Sequence, residues 1–315
     1  MATKEKKKDM ELGQSTEMQN DVMVLLAKHV IATVANGSNF VFSPMSVNLL
    51  LCLIAVGSSC VSKQQILTFL MSPSSDHLNA VLAKMVSVVH ANGTERSDLR
   101  LSMATGVWID QSLSVKPSFK EVLENSFKGN CSHVDFFNKP AEVIDECTFK
   151  GAWGVKFDPK LTEDNDFHLL DGTSVKVPFM TNDKSQYLKG YDGFQVLCIP
   201  YVEDDQREFS MYIYLPNDKN GLPALLEKIG SEPRFFDNHL PRYHKLYVSN
   251  ILHKACIEVD EEGTEAAAVS VGDIRFLCLR KNPDFIADHP FLFTVREDKS
   301  GVILFMGQVL DPSKH

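Results

Sequence analysis

The chain has 315 residues, 44% of them apolar and 23% charged, with a net charge of −9. That length allows one large or two ordinary domains around a sizeable core, and the acidic balance argues against a nucleic-acid or anionic-membrane partner. The longest apolar run, Val47 to Val56, is interrupted by Asn48 and is far shorter than the roughly 20 residues a bilayer span needs.

The chain begins MATKEKKKDMELGQ, with Lys4, Lys6, Lys7 and Lys8 but no apolar stretch behind them. This predicts a solvated, disordered end without a cleaved export signal, and hence a cytoplasmic or nuclear protein. Apolar residues then recur at three- and four-residue spacing from Met18 to Ala35, which predicts an amphipathic helix. Phe40 to Phe42 reads as a short strand running into a buried helix, with Ser43 as N-cap, Pro44 in the first turn and Gly57 at the end. Further helices are expected over SKQQILTFL, capped by Ser62, over Asp76 to Asn92 and over Ser118 to Ser126, with strand patterning at Leu99 to Val107.

Beyond Cys147 the character changes to β. Period-two or buried runs appear at Val175 to Phe179, Gln195 to Pro200, Phe209 to Leu215, Ile257 to Val259, Phe291 to Val295 and Val302 to Met306. Asp171-Gly172, Ser300-Gly301 and PNDKNG supply turns between them. Helices first and strands later, without βαβ alternation, predict an α+β fold.

Chemistry-bearing motifs do not emerge. There is no GxSxG elbow, HExxH helix, P-loop or dinucleotide glycine fingerprint, so the reading is not an enzyme, with no cofactor and no metal. Glu163-Asp164-Asn165-Asp166 has the acidity of a calcium loop but lacks its glycine and terminal glutamate. The seven cysteines, Cys52, Cys60, Cys131, Cys147, Cys198, Cys256 and Cys278, form no CxxC and read as reduced thiols. A chain of this kind acts by binding or by changing shape.

The stretch EEGTEAAAV, Glu261 to Val269, is locally helical by propensity, yet Gly263 interrupts it. Read as extended chain, Thr264, Ala266, Ala268 and Ser270 fall on one side, and Glu265, Ala267 and Val269 on the other. Side chains this small can enter an existing sheet without clashing.

Several separated motifs, in order, resemble the serpin family and its plant Z-type members in particular. They are Asn39 to Ser46, Phe149-Lys150-Gly151-Ala152-Trp153, Val177 to Met180, His253-Lys254-Ala255 leading to Glu262 to Ala268, Asp288 to Phe293, and Gly307 to Pro312. The resemblance implies a single domain over residues 1–315, with N-terminal helices packed on a large mixed or antiparallel sheet, smaller sheets, and an exposed reactive-centre loop at about 260–287. It implies an inhibitor whose loop is cut by a target protease and whose hinge, Glu262, Gly263, Thr264, Glu265, Ala266, Ala267 and Ala268, then enters the main sheet as a new strand. Counting from the hinge glycine places the reactive bond at Leu277-Cys278, where leucine suits a chymotrypsin-like pocket; Arg275 and Arg280 leave a trypsin-like cut open in a shifted register. The implied partner is a serine or cysteine protease, met by a monomer, and the family resemblance adds an extracellular location as an alternative. Ser43, Ser46, His253 and Trp153 match the positions beneath and above the opening of that sheet.

The chain departs from the family pattern twice. Ala141-Glu142-Val143-Ile144-Asp145-Glu146 runs directly into Cys147-Thr148-Phe149, omitting a helix and the first half of the third strand of the main sheet. Asn238 to Arg242 likewise runs straight into Tyr243, omitting the sixth strand and a following helix. The main sheet is therefore expected to be incomplete, and His253 to lack the asparagine partner of the family pattern. The alternative reading is a non-inhibitory serpin that serves as a protease substrate or binding partner.

Overall fold

The computed structural model describes residues 2–33, 35, 37–58, 60–90, 100–103, 106–112, 114–126, 128–134, 147–182, 185–203, 207–241, 245–247 and 285–314. Their centre is a seven-stranded sheet. Its order is β1 (Phe40–Phe42), β13 (Ile303–Val309), β12 (Phe291–Glu297), β10 (Phe209–Pro216), β9 (Phe194–Pro200), β8 (Ser185–Tyr191) and β11 (Lys245–Tyr247). Every neighbouring pair is antiparallel.

The two central strands, β10 and β12, are buried at every position, so apolar residues occupy both faces of each, with Ser210, Thr294, Arg296 and Glu297 buried among them. The alternation survives in what each face meets. Met211, Ile213, Leu215, Phe291, Phe293 and Val295 belong to one core with Met45, Leu49 and Leu53 of helix α2 (Pro44–Gly57). Tyr212, Tyr214 and Leu292 belong to a second, with Leu222, Leu225 and Ile229 of α6 (Leu222–Ser231) and Phe235 and Phe236 of α7 (Phe235–Asn238). Each large side chain so buried contributes roughly 1.5–3 kcal/mol. Helix α1 (Ala2–Thr33) joins the two cores, sending Val22 and Met23 into the first and Val24 and Ala27 into the second.

Three two-stranded pairs surround this body. They are β2 (Arg100–Met103) with β5 (Cys147–Lys150), β3 (Gly106–Asp110) in parallel with β4 (Asn130–Val134), and β6 (Glu163–His168) with β7 (Ser174–Phe179). Helices α3 (Cys60–Phe69), α4 (Ser75–His90) and α5 (Pro117–Ser126) complete the α+β arrangement. At the closing edge, the Gly307 position is fixed by contact: an added Cβ there would run into the Phe40 carbonyl across the β1–β13 register.

Two expectations need correction. The lysine-rich N-terminus is not a disordered end but the first turns of α1, because Lys, Glu and Met are strong helix formers and no proline stands among them. Ser62 does not cap α3, which starts two residues earlier at Cys60. The acidic run Glu163 to Asp166, which lacks the marks of a calcium loop, forms strand β6, exposed and in register with Lys176, Val177, Pro178 and Phe179 of β7. The strand expected at Ile257 to Val259 lies outside the described residues.

Candidate functional site

Of the residues assigned to the site from sequence, Ser43, Ser46 and Trp153 are described. His253, the hinge Glu262 to Ala268 and the reactive bond Leu277-Cys278 lie outside the described residues.

Ser43 and Ser46 are brought together. Ser43 has the extended backbone of an N-cap and accepts from the Ser46 amide at 3.1 Å, while the Ser46 hydroxyl donates to Ser43 Oγ at 2.9 Å. Pro44 at the first helical position fixes the entry angle of α2. One turn on, buried Asn48 accepts from Cys52 Sγ at 3.4 Å, and burial pushes the Cys52 thiol far above its ordinary range, leaving it inert. The start of α2 is thus a small polar spine inside an apolar helix.

Trp153 sits apart from these serines in an aromatic clasp. It is 2% exposed, stacks on Tyr201 at 4.5 Å between centroids and meets Phe157 edge-on at 6.2 Å. Phe149, at the end of β5, packs edge-on against Tyr201 and tilts onto Phe209. Backbone bonds close the clasp: the Val202 amide donates to Ala152 at 2.7 Å and the Gly154 amide to Pro200 at 2.9 Å. A Cβ on Gly151 would stand 2.8 Å from the Tyr201 ring and 3.0 Å from that of Phe149, so only glycine lets the rings converge. The Phe-Lys-Gly-Ala-Trp motif therefore pins β5 to the turn between β9 and β10.

A third group lies where the described chain resumes after the reactive stretch. Phe285 and Ala287 are fully buried. Asp288 follows, its carboxylate 2.7 Å from His289 Nδ1, 3.7 Å from His168 Nε2 and 3.9 Å from Lys219 Nζ. Its carbonyl accepts from the His168 amide at 2.7 Å, and His168 Nδ1 pairs with Ser174 Oγ at 2.9 Å. His289 Nε2 reaches the Pro216 carbonyl at 2.8 Å. Partial burial opposes the charge on Asp288, but the hydrogen bond and charge of His289, with Lys219 and His168, outweigh it and hold the carboxyl below the usual carboxylate range. Sequence reasoning quoted Asp288-His289-Pro290-Phe291 as a motif without giving these side chains a role; an Asp-His pair directly before a buried strand is the signal that was there to use.

An antiparallel sheet between two cores, with helices leading and a Phe-Lys-Gly-Ala-Trp clasp, defines an α+β protein of the serpin class. The model of the family described as "Serpin (serine protease inhibitor)" matches residues 17–148, 143–242 and 234–312. Serpin-Z10 of Arabidopsis thaliana is 56% identical over 390 aligned positions, covering 97% of this chain and 100% of the relative. Serpin-Z4 of the same plant is 56% identical over 395 positions, with 97% and 100% covered. Among solved structures, Arabidopsis AtSerpin1 in its native stressed conformation superposes with a TM-score of 0.85 at 40% identity, covering 96% of this chain and 99% of that one. The chain belongs to the serpin family. The alignments run longer than its 315 residues, so the relatives carry stretches with no counterpart here. The family match restarts within 143–148 and 234–242, at or beside the two junctions where the sequence departs from the family pattern.

Proposed function

We propose that this chain is a serpin-type inhibitor of a chymotrypsin-like serine protease, offering Leu277-Cys278 as the bond that is cut within a reactive segment at about 260–287. The observation that carries this reading is the small-residue hinge Glu262 to Ala268, set at its expected place in a chain matched by the serpin model through residue 312. The protease supplies the chemistry; this chain supplies no catalytic group. Once cut, Gly263 lets the backbone swing and Thr264, Ala266 and Ala268 are small enough to enter a sheet interior, drawing the acyl-bound protease along. The family pattern assigns Ser43, Ser46 and His253 to the polar support of that opening and Trp153 to its upper end; the Ser43–Ser46 hydrogen bond and the packing of Trp153 on Tyr201 are compatible with those roles. The working unit is a monomer, in the cytoplasm or nucleus.

One observation favours a second reading, cleavage without trapping. Strand β5, which carries the Phe-Lys-Gly-Ala-Trp motif, has four residues, begins at the first junction and pairs with β2 among the described residues. A four-residue wall is short for an inserted strand of seven or more. A relative named "Probable non-inhibitory serpin-Z5" of Arabidopsis thaliana is 36% identical over 97% of this chain. Incubation with chymotrypsin separates the two. A complex that survives SDS, and a nicked form that melts well above the uncut one, support inhibition; clean cleavage after Leu277 with full protease activity remaining supports the second reading.

A further inference from the structure

We infer that Asp288 is a positioning residue: it locks the C-terminal foot of the reactive segment to the sheets, so that the residues after the scissile bond keep a fixed anchor. What the lock serves rests on the function proposed above; whether it exists does not. Asp288 lies four residues past the end of the undescribed stretch, directly behind buried Phe285 and Ala287. Its two carboxylate oxygens are divided between separate parts of the fold. One is held by His289, whose other ring nitrogen is tied to the last carbonyl of β10; the second faces His168 of β6 and Lys219 of the turn after β10. His168 is itself oriented by Ser174 of β7 and donates its amide to the Asp288 backbone. Four parts of the chain thus converge on one residue, with three cationic or protonatable groups facing one carboxylate.

The bond to His289 is short and charge-assisted, which makes it the strong member. The contacts to His168 and Lys219 are longer and half-exposed, and each is individually weak. Together they oppose peeling of the foot in two directions, away from β10 and away from β6. Such a lock controls local opening more than global stability, because the residues it holds are already sheet-bound from Phe291 onward.

The test uses trypsin and the full chain. Cuts at Arg280-Lys281, on the foot side, and at Arg275-Phe276, before the scissile bond, are timed by mass spectrometry, and their initial rates are compared as a ratio within each sample. Asp288→Asn keeps an acceptor for His289 but removes the charge; the ratio is expected to rise about threefold. His168→Gln with Lys219→Gln, which leaves the backbone bond in place, is expected to move it the same way. Global loosening raises both cuts together and leaves the ratio unchanged. A ratio within 1.5-fold of wild type in Asp288→Asn, or no foot-side cut in any protein, overturns the lock. A rise in Asp288→Asn that the His168 and Lys219 pair does not share overturns the ion cluster as its basis. Failure of the proposed function registers elsewhere, in the melting of nicked protein.

Discussion

At Asp311 a single carboxylate organises the end of the chain. It accepts from the Ser313 amide at 3.0 Å and the Ser313 hydroxyl at 2.6 Å, and Lys314 Nζ stands 3.0 Å away. Asn39 clamps the same turn, accepting from the amides of Leu310 and Asp311 and donating to the Asp311 and Lys314 carbonyls. Burial works against the Asp311 charge, but the hydrogen bonds from Ser313 and Lys314 outweigh it and hold the carboxyl below its usual range. A carboxyl depressed by folding contributes stability above the unfolded-state value of about 4, and that contribution disappears as pH falls through the lower folded-state value. Wild type is therefore expected to melt above Asp311→Asn at neutral pH, with the gap closing only below about pH 4. A gap that persists unchanged at pH 2.5 would show that the carboxylate charge is not what holds the turn. Residue roles of this kind were legible in the sequence where partners are neighbours, as with Ser43 capping Ser46. They were hidden where partners lie far along the chain, as with Asn39 for Asp311 or His168 and Lys219 for Asp288.

Elements follow the same division. The helix over Pro44–Gly57 was legible because cap, proline and terminal glycine all sit within it. Strands β10 and β12 were legible from the apolar runs Met211 to Leu215 and Phe291 to Phe293 at their centres. The short helix α7 was not, since four residues carry no period. Its place is set by tertiary contact: Asp237 meets Arg296 of β12 at 2.5 Å, both nearly buried, while Phe235 and Phe236 enter the second core. Burial disfavours the charge on Arg296, but Asp237 reverses this and pushes the guanidinium above its ordinary range. Removing one partner leaves an uncompensated buried charge, so Asp237→Ala is expected to lose about 3–5 kcal/mol in urea unfolding. Adding Arg296→Met in the same chain is expected to restore most of it, because an apolar side chain of similar length needs no counter-charge. If the double variant is no more stable than the single one, α7 is held by its phenylalanines and the ion pair is incidental.

At the scale of the molecule, the family and the α+β fold were legible through motifs scattered from Asn39 to Pro312, and both junctions could be placed because each interrupts a motif whose continuation is expected. The proposed mechanism was less legible, since Glu262 to Ala268 carries helical propensity locally and is read as a strand only through the family resemblance. The main sheet is where the chain differs from its relatives. The segment that the family pattern assigns to its third strand is β5, which begins at Cys147 immediately after the first junction and has four residues. Under the proposed mechanism the clasp would fix one end of the inserted strand's neighbour, and the length of that neighbour would set how many backbone hydrogen bonds insertion can gain, each worth about 1 kcal/mol net. Inserting the corresponding residues of serpin-Z10 between Glu146 and Cys147 and between Arg242 and Tyr243 is therefore expected to lengthen that wall. The chimera is expected to raise the fraction of chymotrypsin held in an SDS-stable complex and to widen the melting gap between nicked and uncut protein. Equal trapping by chimera and parent would mean that four residues of β5 suffice, and that the strength of the trap resides in the loop rather than in the sheet that receives it.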